Sequence, residues 1–176
     1  MRVSKMSTLL TGAFCVVSVV LGATTIDQNL SDMRKLTDKV ESAKKSLDNY
    51  NGGIPAALGV ARSLTIAQTS AKSTRKSLAD REPMNAEEGD RFLQSYDEMA
   101  PVLLDAIHSA KNKAPLFKKA GLGPEARTYL DNLHVEKRRF EEEGQKQLPP
   151  SIFRQIKPSS DRISEAFDEA DREFDT

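Results

Sequence analysis

The chain has 176 residues, and its 26 basic and 26 acidic side chains balance to a formal net charge of zero. Nucleic-acid binding requires a clustered basic surface, so this balance argues against a nucleic-acid partner. The single cysteine, Cys15, lies within the first 23 residues, so a domain built from the remaining residues has neither a disulfide nor a catalytic cysteine.

The N-terminal residues are typical of a secretory signal peptide. Arg2 and Lys5 precede an apolar stretch from Leu9 to Leu21, and the small residues Gly22 and Ala23 follow it. A basic start, a short apolar core and a small-residue end are the features of such a signal. The apolar stretch is shorter than the roughly 20 residues that a membrane-spanning helix needs. We therefore predict a signal peptide over residues 1–23 and secretion of residues 24–176 as one domain that does not span a membrane.

Apolar residues at steps of three and four predict helices along the rest of the chain. The first helix is predicted to begin at Thr25, whose spacing to Gln28 suits a capping box, and to end at Asn51-Gly52-Gly53. The second begins near Pro55 and extends to about Ala79. Most residues on its inward stripe are small: Ala57, Ala61, Leu64, Ala67 or Gln68, Ala71 and Leu78.

Three further helices are predicted after these two. The third begins at Asn85 with an expected kink at Pro101, and a short separate turn from Pro115 to Gly121 follows it. The fourth helix comes after this turn. The last follows Pro149-Pro150 and is expected to be bent or interrupted at Pro158. Strand-like alternation is absent from the sequence, so the predicted fold is a single-domain, all-α bundle of about five amphipathic helices with proline kinks.

The sequence carries no recognisable catalytic motif. A nucleophile elbow, a phosphate-binding loop and a dinucleotide-binding glycine motif are all missing, so we predict a non-enzymatic protein without a cofactor. Asp105 with His108, and Asp131 with His134, have the spacing of half a di-metal motif of helical bundles. No pair of acidic residues on the other helices completes that motif. We interpret both histidines as surface residues near acids and predict no metal site.

Asn29 is a candidate site of N-linked glycosylation. It begins the sequon Asn29-Leu30-Ser31, which is an acceptor sequence in secreted proteins. Glycosylation requires an accessible side chain, so this prediction holds only if Asn29 faces solvent.

The small inward residues of the second helix leave two alternatives open. They either allow neighbouring helices to approach closely or leave a groove between them that a ligand fills. Candidate residues for the wall of such a cavity are apolar and have bundle-facing spacing. They are Ala61, Leu64, Leu103, Leu104, Ile107, Phe117, Leu133, Ile163 and Phe167.

The order of several short segments resembles one known family. Asn51–Gly53 follows an amphipathic helix and precedes an Ala/Ser-rich helix, and Met99–Ile107 is similar to that family's proline-bearing helix. Lys111–Phe117 followed by Ala120–Leu122, and the closing helix Ile163–Ala170, have similar counterparts. The chain resembles the hydrophobic surface-binding protein A family of filamentous fungi, also described as cell wall galactomannoproteins.

This resemblance implies a secreted or wall-associated fungal protein that binds hydrophobic surfaces, fatty acids or other lipids between its helices. Cell wall polysaccharide or another secreted protein is a further partner that it implies. The alternative is a secreted protein-interaction module, either a wall component or an effector, that has no lipid ligand. The sequence indicates no oligomeric state.

Overall fold

The computed structural model describes residues 24–175, which form five helices joined by short loops. The predicted signal peptide lies outside the described residues. The elements are α1 (Ile26–Asp48), α2 (Ile54–Ala79), α3 (Ala86–Lys119), α4 (Gly123–Gln147) and α5 (Pro150–Asp175). No strand occurs between residues 24 and 175. The prediction of an all-α bundle of about five helices is confirmed.

The predicted capping residues begin the helices as expected. The Thr25 hydroxyl accepts a hydrogen bond from the backbone N–H of Gln28 at 3.2 Å. Asn85 and Glu88 form a reciprocal capping box, in which each side chain accepts from the other residue's backbone N–H. These bonds satisfy N–H groups that have no partner within the helix. Gly53, at φ 84°, occupies the left-handed region that lets the chain turn from α1 into α2.

The helices continue through their internal prolines. Helix α3 includes both Pro101 and Pro115, and α5 includes Pro158. The separate turn expected from Pro115 to Gly121 is therefore the last part of α3, which ends at Lys119, and the break expected at Pro158 does not occur. All three prolines are exposed. Because each proline lies on the solvent side of its helix, water can bind the carbonyl that it leaves without an amide partner.

The five helices form a closed ring in the order α1, α2, α4, α5, α3 and back to α1, and sequential helices are antiparallel. Helix α3 makes extensive contacts with both α1 and α5, whereas α4 is the least closely packed of the five. The largest fully buried hydrophobic side chains fill the interior of this ring: Tyr50, Phe92, Phe167, Met33, Leu47, Leu78 and Ile163. None of the described helices combines the length and hydropathy needed to cross a membrane.

Candidate functional site

Two apolar cavities lie one above the other along the axis of the bundle. The larger has a volume of about 270 Å³ and lies at the end where α2 and α4 begin. The smaller, about 90 Å³, lies toward the end where α3 and α5 begin. Small-molecule sites typically have volumes of roughly 300–1,000 Å³, so the larger cavity alone approaches the space that one ligand needs.

A single layer of five side chains lines both cavities. Each helix contributes one residue to this layer, which we call the shared layer: Val40, Ala67, Leu103, Leu133 and Phe167. Leu103 and Leu133 are only partly buried, whereas the other three are buried. Because the two cavities meet at the same residues, rotation of the two leucine side chains can join them into one elongated space.

The alanines of α2 account for the larger cavity. Ala57, Ala61 and Ala67 all line it, and Ala43, Ala106 and Ala110 line it from the neighbouring helices. A methyl side chain on several facing positions leaves space that leucine or phenylalanine would fill. The sequence left open whether these small residues allow close helix packing or leave a groove between the helices, and the structure shows the groove.

Aromatic contacts hold the end wall of the larger cavity. Phe117 stacks on Tyr50 with ring centroids 4.3 Å apart, and Phe174 lies 6.3 Å from Phe117. Tyr50 is 1% exposed. Tyr50 follows the end of α1, and the other two rings belong to the C-terminal ends of α3 and α5, so the three close the bundle at the end where α2 begins.

An exposed apolar rim lies at the mouth of the larger cavity. Ile54 and Leu58 line the cavity, yet they are 59% and 68% exposed. They are four residues apart and therefore lie on one face of α2. Large hydrophobic side chains are usually buried, so two of them at a cavity mouth mark a contact surface for an apolar partner.

Seven of the nine candidate residues line the larger cavity: Ala61, Leu64, Leu103, Ile107, Phe117, Leu133 and Phe167. Ile163 lines the smaller cavity instead. Leu104 lines neither and packs, partly buried, against the outside of the core. One step along a helix rotates a side chain by about 100°, so Leu104 points away from the cavity that its neighbour Leu103 faces.

Several lining residues were not among the sequence candidates. The rim residues Ile54 and Leu58 could have been found as an apolar pair at helical spacing just after the glycine turn. Glu136 of α4 lines the smaller cavity and is only 2% exposed. It lies on the stripe that contains Leu133 and Phe140, at steps of three and four, which is the signal that could have indicated its burial.

Glu136 is the buried charge of the site. Its Oε1 accepts a hydrogen bond from Nε of Arg75 in α2 at 2.5 Å. Its Oε2 has no hydrogen-bond partner among the described residues. The Nη1 of Arg139 lies 3.9 Å from that oxygen, which is too far for a hydrogen bond. A buried oxygen without a partner is rare in folded proteins and calls for an explanation.

His134 packs against Phe167, a residue of the shared layer. Its ring stacks on Phe167 with centroids 4.8 Å apart and an interplanar angle of 7°. Burial lowers the pKa of His134 below its ordinary value of 6.5, and the carboxylate of Asp168, 3.8 Å away, opposes this effect only in part. His134 is therefore a partly buried packing residue and not the surface histidine expected from the sequence. Across residues 24–175, no three His, Cys, Asp or Glu side chains are grouped so that they could hold a metal ion.

The side chain of Asn29 does not face solvent. It is 1% exposed, donates to the hydroxyl of Ser77 at 2.8 Å and accepts from Nη1 of Arg81 at 2.9 Å. Arg81 in turn contacts Glu88 at 3.0 Å. The condition on which glycosylation of Asn29 depended is thus not met in the folded domain. The residue instead joins the start of α1 to the end of α2 and the start of α3.

Comparisons with known proteins give one family and several similar structures. A family model described as hydrophobic surface binding protein A matches residues 26–143. Among curated proteins, none matches the sequence significantly. The crystal structure of Afmp4p in complex with palmitic acid is similar with a TM-score of 0.82 at 15% identity, covering 85% of this chain and 99% of that chain.

Two domains of a second fungal protein have the same fold. Ligand binding domain 2 of the Penicillium marneffei MP1 protein, complexed with multiple arachidonic acids, has a TM-score of 0.74 at 16% identity and covers 84% of this chain and 92% of that chain. Ligand binding domain 1, complexed with arachidonic acids, has a TM-score of 0.72 at 15% identity, with coverages of 83% and 98%.

Proposed function

Since this chain belongs to the hydrophobic surface binding protein A family, we propose that it is a non-enzymatic lipid-binding protein that encloses an aliphatic chain between its helices. The observation that carries this proposal is the apolar cavity of about 270 Å³, with its exposed rim at Ile54 and Leu58. The palmitic and arachidonic acids bound to proteins of the same fold support it.

The energetics of such a cavity favour an aliphatic ligand. Each methylene group removed from water contributes about 0.8 kcal/mol, so a long chain offsets the costs of immobilisation. A chain that fills the larger cavity reaches the shared layer, and movement of Leu103 and Leu133 admits it into the smaller cavity. Ligand length is therefore accommodated by side-chain rotation without rearrangement of the helices.

A second mode of binding is favoured by the outer face of α2. Ile54, Leu58 and Ile66 are exposed large hydrophobic residues, all from this one helix. Together they present an apolar face to a hydrophobic surface or to a lipid that is about to enter. We propose that adsorption through this face occurs in addition to internal binding, since Ile54 and Leu58 belong both to the exposed face and to the cavity lining.

The proposal includes export. Residues 1–23 have the composition of a signal peptide, and the family is one of secreted fungal proteins, so we propose an extracellular location with the cell wall as one destination. N-terminal sequencing of the protein recovered from culture medium tests this, with Thr24 expected as the first residue. A medium-derived protein that retains Arg2 and Lys5 contradicts it.

The decisive experiment fills the larger cavity. Ala61→Phe places an aromatic ring in the space that the ligand needs, and Ala56→Phe makes the same change at an exposed position of the same helix. We expect Ala61→Phe to weaken binding of a fluorescent fatty acid at least about tenfold, which corresponds to roughly 1.4 kcal/mol. Ala56→Phe should bind as the unchanged protein does. Equal affinity in all three proteins, or no binding by any of them, contradicts the proposal.

A further inference from the structure

The charged side chains that line the two cavities are mostly acidic. Glu125 lines the larger cavity, and Glu136, Lys137 and Glu141 line the smaller one. Lys137 is the one cation among these lining residues, and its Nζ already donates to Glu141 at 2.9 Å and to Ser164 at 2.6 Å. A ligand with a free carboxylate therefore finds no unpaired cation among these lining residues.

Among these lining residues, Glu136 has one oxygen, Oε2, without a hydrogen-bond partner. This oxygen determines which polar end group a ligand in the smaller cavity should carry. The side chain is 98% buried, and Arg75 occupies only its Oε1. A carboxylate can only accept hydrogen bonds, so whatever satisfies Oε2 has to donate one. A hydroxyl group does so, whereas an ester or a carboxylate offers further acceptors and leaves Oε2 unsatisfied.

We infer that the smaller cavity selects an uncharged lipid whose polar end donates a hydrogen bond to Glu136, so that a long-chain alcohol is preferred to the corresponding fatty-acid anion. This inference rests on the proposed lipid-binding function and names the chemistry of the ligand's polar end. The aliphatic chain lies in the larger cavity, and the hydroxyl passes the shared layer to approach Oε2, which is buried in the wall of the smaller cavity and is reached when a neighbouring lining side chain moves. Glu136 is thus a specificity-determining residue.

Three ligands with acyl or alkyl chains of equal length distinguish the effect of ligand charge on affinity from the effect of hydrogen-bond donation. Hexadecanol is neutral and donates, methyl hexadecanoate is neutral and only accepts, and hexadecanoate is an anion that only accepts. Each is measured at neutral pH by displacement of a bound fluorescent lipid. We expect hexadecanol to bind about tenfold more tightly than either of the others, because a buried acceptor left unpaired is costly.

Glu136→Gln changes the unpartnered hydrogen-bond acceptor of this side chain into a donor. The amide oxygen still accepts from Arg75, which keeps the hydrogen bond between α2 and α4, and the amide nitrogen replaces Oε2 with a donor; far-UV circular dichroism checks that the variant is folded. This variant should bind hexadecanoate and its methyl ester several-fold more tightly and leave hexadecanol almost unchanged, since a hydroxyl also accepts. Glu142→Gln, an exposed position on the same helix, is the matched control and should preserve the preference of the unchanged protein.

The outcomes distinguish this inference from the proposed function. If the fluorescent lipid itself does not bind, the proposed function fails. If all three ligands bind alike and Glu136→Gln changes none of them, lipid binding stands and the inference is overturned. Tighter binding of hexadecanoate than of hexadecanol, abolished by Lys137→Met, also overturns it and assigns the polar end to Lys137.

Discussion

Arg75 of α2 donates a hydrogen bond to Glu136 of α4 across 2.5 Å, and the carboxylate that accepts it is almost completely removed from solvent. This ion pair joins two helices that otherwise meet around apolar cavities. A buried charge is tolerated only when a partner compensates it. The pair therefore fixes where α4 lies relative to α2.

Arg75→Ala should destabilise the protein markedly. It leaves the buried carboxylate of Glu136 without its partner, and loss of one member of a buried pair costs about 3 kcal/mol. Urea unfolding measures the change in the free energy of unfolding. Arg139→Ala is the control, since that guanidinium is 57% exposed and 3.9 Å from Oε2, and its loss should cost less than about 0.5 kcal/mol. Similar losses in both variants would contradict the assignment.

Leu58→Glu should impair lipid uptake without affecting stability. Leu58 is 68% exposed at the mouth of the larger cavity, so a charge there opposes entry of an apolar chain but disrupts no packing. We expect a several-fold slower association rate in stopped-flow fluorescence and an unchanged melting temperature. Ile66→Glu removes an exposed apolar residue of the same helix that does not line the cavity. Equal slowing by both variants would show that general adsorption to α2, and not the rim, limits uptake.

Stability should fall as the pH drops below about 6.5 because of His134. Burial lowers the pKa of this histidine in the folded state, so the unfolded chain binds the proton more readily. The stabilisation is complete above the unfolded value of 6.5 and is lost as the pH falls from there through the folded pKa. Asp32, Asp48, Glu88 and Glu169 have lowered pKa values and contribute only in more acidic solution, below their ordinary values near 4.

Melting temperatures between pH 7.5 and 5 check this prediction. His134→Phe keeps an aromatic ring against Phe167 and removes the titration, so it should flatten the pH dependence. The chain has only one other histidine, the exposed His108, and His108→Phe should retain the slope. A slope that persists in His134→Phe would contradict the attribution.

Gly89→Ala and Gly59→Ala should change stability in opposite directions. A Cβ atom at Gly89 would lie 2.9 Å from Cγ1 of the buried Ile152 and 3.1 Å from the ring of Pro149, so we expect a loss of about 1–2 kcal/mol from overpacking. At Gly59, within α2, a Cβ meets nothing within 4 Å, so the better helix propensity of alanine should stabilise by about 0.5–1 kcal/mol. Thermal unfolding of both variants measures whether each one is more or less stable than the unchanged protein. Higher stability of Gly89→Ala would show that the start of α5 can shift to make room for the added methyl group.

The helices could be predicted from sequence because local signals agree. Apolar spacing, the Thr25 and Asn85 caps and the glycines after α1 all specify the same boundaries. The sequence predicts a break at Pro115 because proline removes a backbone hydrogen bond, which is a local effect. Whether that loss matters depends on which side of the helix the proline occupies, and this is fixed only when the neighbouring helices are in place.

The cavity was predictable in outline and not in detail. Alanines on α2 facing large residues indicated spare space, and seven of the nine proposed wall residues line the larger cavity. Leu104 was a candidate for its apolar character, although it lies one position away from the spacing of Met99, Leu103 and Ile107. Glu136 was missed because Glu136-Lys137-Arg138-Arg139 has the appearance of a solvated face. Its burial depends on Arg75, which is 61 residues away in the sequence.

Polar contacts at the edges of helix α4 add to the apolar packing of Leu130, Leu133 and Phe140. Besides Glu136, it presents Arg127, whose guanidinium binds both carboxylate oxygens of Asp171 in α5, at 2.7 and 3.0 Å. Dissolved ions weaken such partly exposed ion pairs by screening their charges, whereas they do not screen the apolar contacts of the core. We therefore expect the rate at which a bound lipid exchanges to rise with the ionic strength of the medium, so that salt concentration alone changes how readily the bundle opens.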